Sequence, residues 1–357
     1  QQFLIKNNFN AEIINYSNEG QQQLYQIAFK NNSIKNILKN TILLPRRKIL
    51  KNTYQNYENF INKNLKLSQA KFSTIKELEE YQFNYDIYIC GSDQVWNVTI
   101  DDFDKSYFLP FVSNKKKIAY APSFGAKKMS KYLSEEEIQK YIEYLKDFSL
   151  LTIRENNGKE WIKEILDIDV PVVLDPTLLL ERANYQKIED TYDKCISGKY
   201  IFYYSPSYKP EINKLVSQIA KKYGLKVIAW NPRSYYLKLM NFSKFYLPKK
   251  QNPGVYLSLI RDAELVITTS FHGTIFSTIY QKNFWVIKNG EMYGDDDRVK
   301  TLINQLSIAD RLIPSDYKDD MDYLKKVDYF KYREKLATLK EFSKNILLRG
   351  INDDNKA

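Results

Sequence analysis

One histidine serves the whole chain: His272, set in TTSFHGTIFSTIY, residues 268–280. Imidazole changes charge near pH 7, so a lone copy at a turn can donate a proton or bind a phosphate. The alternative is a structural histidine that bridges the turn. Leu265 to Thr269 form a β-branched run suited to a buried strand, and Ser270 is a good helix N-cap. Gly273 permits close approach of backbone to a ligand, and the apolar period then turns helical up to Tyr280. His272 is therefore expected on the first turn of a helix at the carboxyl end of a strand. Open α/β sheets bind ligands there, and a helix N-terminus favours phosphate.

Further candidates lie at other strand ends. GSDQVWN, residues 91–97, places Gly91, Ser92 and Gln94 in a loop beside Asp93. Asp93 either caps a following helix, forms an Asx turn or accepts a proton. Trp96 reads as a packing residue. Arg154 and Glu155 follow the strand LLTI and are either part of a cleft or a surface ion pair. Asp175–Pro176–Thr177 reads as a turn that starts a helix rather than as a catalytic element. Arg298 is placed in the first turn of its helix, where the dipole favours Asp295, Asp296 and Asp297 over a cation. It either pairs with those aspartates or offers its planar fork to a bound carboxylate or phosphate. Glycine-rich nucleotide loops, zinc-protease and serine-hydrolase motifs are absent from the sequence. One histidine and two distant cysteines, Cys90 and Cys195, suggest neither a metal site nor a disulfide framework.

At 357 residues, two domains are the expectation, and 43% hydrophobic content suffices for a large core. A net charge of +11 calls for an anionic partner. Basic clusters are short and no nucleic-acid-binding signature occurs, so nucleic acid is not the expected partner. No apolar run approaches the roughly 20 residues of a spanning helix, and no charged leader precedes an apolar stretch. A soluble, cytoplasmic protein is expected. YDIYIC, KKIAYA, LLTI and VPVVL, then YIFYYSPS, LKVIAW, ELVITT and NFWVIKNG, alternate with helical segments, which indicates parallel βαβ units. The expected fold is α/β, with two Rossmann-type doubly wound halves facing a central cleft. Residues 1–182 form the acceptor-side half, 199–335 the donor-side half, and 336–357 a terminal helix and tail. Residues 20–80 read as mostly helical. The sequence opens inside a helix, with a strand at Ala11 to Tyr16, and an opening strand ahead of it is expected to be missing.

These segments, in this order, resemble the polysaccharide pyruvyl transferase family: GSDQVWN (91–97), APSFGA (121–126), TIREN (152–156), VLDPTLL (173–179), TTSFHGTIFS (268–277) and DDRVKTLINQL (296–306). The resemblance implies a GT-B-like fold. It also implies transfer of a pyruvyl group from phosphoenolpyruvate to sugar hydroxyls as a cyclic ketal, in bacterial capsule or exopolysaccharide assembly, with no cofactor. His272 then matches the family's active-site histidine and is the acid or the phosphate ligand. Ser270 and Gly273 would contact the phosphate, Arg298 or Arg154 the carboxylate, and Asp93 the acceptor, with Gly91, Ser92 and Gln94 in the cleft loop. Some members carry Arg or Leu where this chain has Phe271, so another cation is expected to meet the donor. The acceptor would be a sugar or lipid-linked oligosaccharide. Charge alone, not the resemblance, raises peripheral contact of lysines near 46–51 and 243–250 with the anionic inner membrane face. Two rival functions are a glycosyltransferase with a nucleotide-sugar donor and a non-catalytic glycan-binding relative.

Overall fold

Helices and parallel strands make up the chain from its first residues onward. A computed structural model describes residues 1–30, 32–125, 129–192, 197–288, 297–315 and 321–353. In it α1 (Gln2–Lys6) leads into β1 (Ile13–Tyr16), followed by α2 (Glu19–Tyr25), α3 (Ile34–Leu43) and α4 (Arg47–Asn64). β2 (Leu67–Phe72) then pairs in parallel with β1. Residues 20–80 are mostly helical, as expected, but this strand interrupts them. Its residues LSQAKF bury only Ser68 and Phe72 fully, so polar side chains obscure the strand period. α5 (Ile75–Glu80) begins in a Thr74–Glu77 capping box. β3 (Ile87–Cys90), β4 (Lys116–Ala119), α6 (Glu135–Lys146), β5 (Leu150–Leu151) and α7 (Asn156–Leu166) complete the first half. β3, β4 and β5 pair in parallel in that order, and the bridge Ile153–Val172 extends the sheet. Among the described residues, β1 meets this sheet through side chains: Tyr85 Oη donates to Glu12, and Ile14 packs into the same core.

The second half follows α8 (Arg182–Gln186). It comprises β6 (Tyr200–Tyr204), α9 (Pro210–Tyr223), β7 (Lys226–Ala229), α10 (Pro232–Leu237), α11 (Pro253–Asp262) and β8 (Leu265–Thr268). α12 (Phe271–Ile279), β9 (Phe284–Ile287), α13 (Asp297–Gln305) and β10 (Leu312–Ile313) complete it. Its strands form one parallel sheet in the order β10-β9-β8-β6-β7. Successive residues point to opposite faces: Phe202, Ile228, Val266 and Phe284 join one core cluster, Ile201, Val227, Leu265 and Trp285 the other. A parallel sheet covered on both faces needs apolar residues at every position, which is how these strands read. The expectation of an α/β protein with parallel sheets is borne out. The chain leaves β6 toward one edge and β8 toward the other, so a crevice opens at their carboxyl ends.

α14 (Tyr329–Asn352) ties the halves together. Tyr332 enters the core of the second half, while Leu347 and Ile351 pack with Phe3, Ile118 and Val173 of the first. Ser343 Oγ accepts from the Leu174 N–H at 3.0 Å, and Lys340 Nζ donates to the Leu180 carbonyl at 3.0 Å.

Candidate active site

The crevice is built first by hydroxyls. Thr268 Oγ1, at the end of β8, donates to the Tyr204 carbonyl at 2.8 Å and accepts from the Ser270 N–H at 3.0 Å. Ser205 and Thr269 hydroxyls meet at 2.8 Å across the switch from β6 to β8. Ser270 caps α12 by accepting from the Gly273 N–H at 3.4 Å, as its type predicts. Gly273 is required by the protein's own strand end: a Cβ there would lie 2.2 Å from Thr268 Oγ1. The strand, cap and helix expected around His272 are all present, and its side chain keeps 39% of its surface accessible on the first turn of α12.

The opposing wall comes from the first half. No helix follows Asp93, which corrects the capping option: Oδ1 instead accepts from the adjacent Gln94 N–H at 2.9 Å. Asp93 holds φ at 110°, a conformation that costs a non-glycine residue of order 1–3 kcal/mol and persists only where the surroundings enforce it. They do so here. The Ser123 N–H donates to the Asp93 carbonyl at 2.8 Å, and Trp96 N donates to the Ser123 carbonyl at 3.3 Å. The Trp96 ring is fully buried and stacks on Phe108 at 5.0 Å. Gln94 Oε1 accepts from Asn97 Nδ2 at 2.9 Å, and Ser92 Oγ donates to Asp175 Oδ2 at 3.0 Å. Gly91 faces open space, with nothing within 4 Å of where a Cβ would stand.

Arg154 and Glu155 are both buried, so the surface ion pair is ruled out. Arg154 Nη1 donates to Asp175 Oδ2 at 2.8 Å and Nη2 to Asp93 Oδ1 at 3.5 Å, while Nε stands 3.9 Å from Glu155 Oε2. A guanidinium can be buried when several carboxylates face it. Asp175 divides its oxygens. Oδ1 accepts from the Thr177 N–H and hydroxyl, the expected turn, whereas Oδ2 collects Ser92, Arg154 and, at 3.9 Å, His272 Nε2. Burial opposes its charge, but Arg154, His272 and Thr177 hold its carboxyl down to about 2. Asp93 keeps 60% of its side chain accessible; although neighbouring protein desolvates it, His272 and Arg154 hold it below the usual carboxylate range. Burial drives Glu155 the other way, to about 7, against the pull of Arg154 and Arg298. Glu155 Oε1 accepts from the Phe124 N–H at 2.9 Å.

Phe271 is the hinge of the cationic side. The Arg154 guanidinium lies 4.4 Å from its ring centre and that of Arg298 5.9 Å, so two cations address one aromatic face system. Arg298 is on the first turn of α13, as expected. The neighbouring Asp297 accepts from the Asn157 N–H at 3.0 Å and from the Thr301 hydroxyl at 3.2 Å, which docks α13 on the start of α7. Asp295, Asp296 and Cys195 lie outside the described residues, and Cys90 is buried. Among the described residues, no three of His, Cys, Asp and Glu group as metal ligands.

The structure thus brings His272, Asp93, Ser92, Arg154 and Arg298 to one place. It adds Asp175, Glu155 and Phe271, which sequence reasoning did not assign to chemistry. An imidazole over an ionised carboxylate, beside guanidiniums and a helix N-terminus, can hold an anion and hand it a proton.

Three solved structures have parts in common with the chain. The UDP-GlcNAc 2-epimerase of Methanocaldococcus jannaschii, in complex with UDP-GlcNAc and UDP, is 17% identical with a TM-score of 0.33; 64% of this chain aligns, spanning 62% of that one. AviGT4, a glycosyltransferase involved in avilamycin A biosynthesis, is 10% identical with a TM-score of 0.36, covering 80% of this chain and 81% of its own. HepE of Anabaena, in complex with UDP and glucose, is 10% identical with a TM-score of 0.39, covering 95% and 97%. Similarities of this size carry no argument about chemistry. No curated protein matches the chain. The sequence pattern of one family does match, over residues 1–291, and it includes both walls of the crevice and His272: the chain belongs to the polysaccharide pyruvyl transferase family.

Proposed function

We propose that the chain moves the pyruvyl group of phosphoenolpyruvate onto two hydroxyls of one sugar, forming a cyclic ketal and releasing phosphate. The acceptor is a sugar or lipid-linked oligosaccharide of a bacterial cell-surface polysaccharide. The observation that supports this reading is the placing of His272 over Asp175, with two arginines at the adjoining Phe271 ring. His272 protonates the methylene carbon of the enol phosphate while a sugar hydroxyl bonds to carbon 2. A second hydroxyl then displaces phosphate from that carbon and closes the ring. Of the two hydroxyl protons, one restores His272 and the other leaves with phosphate, so the sum balances. Asp175, ionised beneath the ring, faces the Nε2 that would carry the proton. The donor phosphate is placed at the first turn of α12, beside Ser270 and Gly273, and Arg298 takes its carboxylate. Arg154, whose fork already holds Asp175 and Asp93, acts as a positioning residue. Asp93 accepts the hydrogen bond of the incoming hydroxyl.

Thermal shifts with phosphoenolpyruvate, UDP-sugars and inorganic phosphate test the donor, on wild type and His272→Ala. A ligand that binds only the native state raises the melting temperature. Phosphoenolpyruvate is expected to stabilise the wild type beyond phosphate. A response to UDP-sugars alone would give the glycosyltransferase reading its place, and equal shifts with every anion would remove both.

A further inference from the structure

Helix α3 is inside out. Ile34, Ile37, Leu38 and Ile42 lie on its solvent side, Ile34 at 79% and Leu38 at 60% exposure, and Leu44 continues the stripe at 64%. Asn36, Lys39, Asn40 and Leu43 occupy the less exposed side. That side is committed. Asn40 both donates to the Phe29 carbonyl at 2.9 Å and accepts from the Phe29 N–H at 2.8 Å. Asn36 Nδ2 donates to the Lys30 carbonyl at 3.1 Å, and Lys39 Nζ stands 4.5 Å over the Phe29 ring. Rolling the helix to hide its apolar stripe would break all of these contacts. A contiguous apolar stripe held outward marks an interaction surface.

The charge around it identifies the partner. Residues 20–57 carry seven Lys and Arg and no Asp or Glu, and residues 227–260 carry five and again no acid; of these twelve, Lys30 pairs with Glu19 and Lys250 with Asp190 outside the two segments. The fold puts the two segments together, because α10 packs on α3 and α4. Arg233 of α10 donates to the Leu24 carbonyl and stands 3.8 Å over Phe29, while Arg46 lies 5.0 Å over Tyr236. Lys35, Arg233 and Lys238 all crowd Lys39, whose pKa partial burial and their charge depress. The turn after α10 adds Leu239 and Phe242, the latter 77% exposed. A second copy of the chain would set these cations against themselves, so a self-interface is disfavoured. Among the described residues no helix is long and apolar enough to cross a membrane.

We propose that this face docks on a bilayer rich in anionic lipid, with α3 lying in the interface. The stripe Ile34–Leu44 enters the acyl boundary and the surrounding Lys and Arg meet lipid phosphates, the arrangement of an interfacial amphipathic helix. The surface does not depend on the donor chemistry above.

Vesicle flotation of the full chain tests it, with phosphatidylglycerol-containing and pure phosphatidylcholine vesicles. Wild type floats with the anionic vesicles only and is released by high salt. Ile37→Asp/Leu38→Asp and, separately, Lys35→Glu/Lys238→Glu alter exposed side chains and keep the melting temperature; each lowers flotation by about tenfold or more. Absence of wild-type flotation overturns the proposal, as does flotation that both variants retain. So does a dimer in analytical ultracentrifugation that the Ile37→Asp/Leu38→Asp variant splits.

Discussion

Nε2 of His272 lies 3.9 Å from Oδ2 of Asp175, the oxygen that also receives Nη1 of buried Arg154 at 2.8 Å. The imidazole comes from the second half and the carboxylate from the first, so the pair exists only when the halves are docked. Asp175→Asn leaves the Arg154 guanidinium buried against a neutral partner. Removing one member of such a pair costs about 3–5 kcal/mol, to be read in urea unfolding. The folded-state value of about 2 lies below the ordinary carboxylate value, so the Asp175 contribution is complete above pH 4 and lost as pH falls through about 2. Asp175→Asn is therefore expected to flatten the acid limb of the stability curve; an unchanged limb would place the ion pair elsewhere.

Glu155 predicts the opposite sign. Its folded value, about 7, lies above the ordinary glutamate value of 4.5, so between these pH values the native state binds the proton more tightly than the unfolded chain. Stability then falls as pH rises through that window, by up to about 3 kcal/mol, and levels off above pH 7. Glu155→Gln removes the titration while keeping an acceptor for the Phe124 N–H. The difference between wild-type and variant unfolding curves should slope from pH 4.5 to 7 and be flat outside it. A difference without slope means that Glu155 is ionised throughout.

The legible part of the site is its local part. Strand, N-cap and helical period around His272 follow one another within about a dozen residues. Contacts between distant segments were not legible. Asp175 has a sufficient local explanation in its Thr177 turn, and nothing in DPT announces Ser92 or His272 as partners of its other oxygen. Arg154 and Glu155 look like a surface pair until the fold covers them. β2 escaped because its polar side chains blur the period of two. The helical period of α3 shows that it has an apolar stripe, but which side faces out depends on Phe29 and α10, not on the stripe.

Two glycines separate packing from access. At Gly273 the backbone φ is ordinary, but a Cβ would stand 2.2 Å from Thr268 Oγ1, which is tied to Tyr204 and Ser270. Gly273→Ala must therefore shift the start of α12 against β8, at a cost of about 1–3 kcal/mol, and move His272 with it. Gly91→Ala meets nothing within 4 Å and should change stability by less than about 0.5 kcal/mol. Activity measured on both decides what Gly91 is for. A stable Gly91→Ala protein with a raised acceptor KM places the acceptor against this loop, and an unchanged KM places it elsewhere.

Phe271 offers the sharpest test of how the cations are deployed. Its ring is buried, with Arg154 4.4 Å and Arg298 5.9 Å from its centre. Phe271→Leu keeps an apolar side chain but removes the π face, a loss of about 1–2 kcal/mol where the cations are desolvated. Arg154 retains Asp175 and Asp93 as partners and should stay in place. Arg298 loses its contact with that ring, so if it grips the donor carboxylate, the donor KM rises, while kcat changes little unless the edge-on meeting of the Phe271 and His272 rings at 5.5 Å orients the imidazole. Phe271→Tyr restores the ring face and should return KM toward wild type. Equal KM in all three proteins would release Arg298 from the donor; a fall in kcat with KM unchanged would mean instead that the ring orients His272.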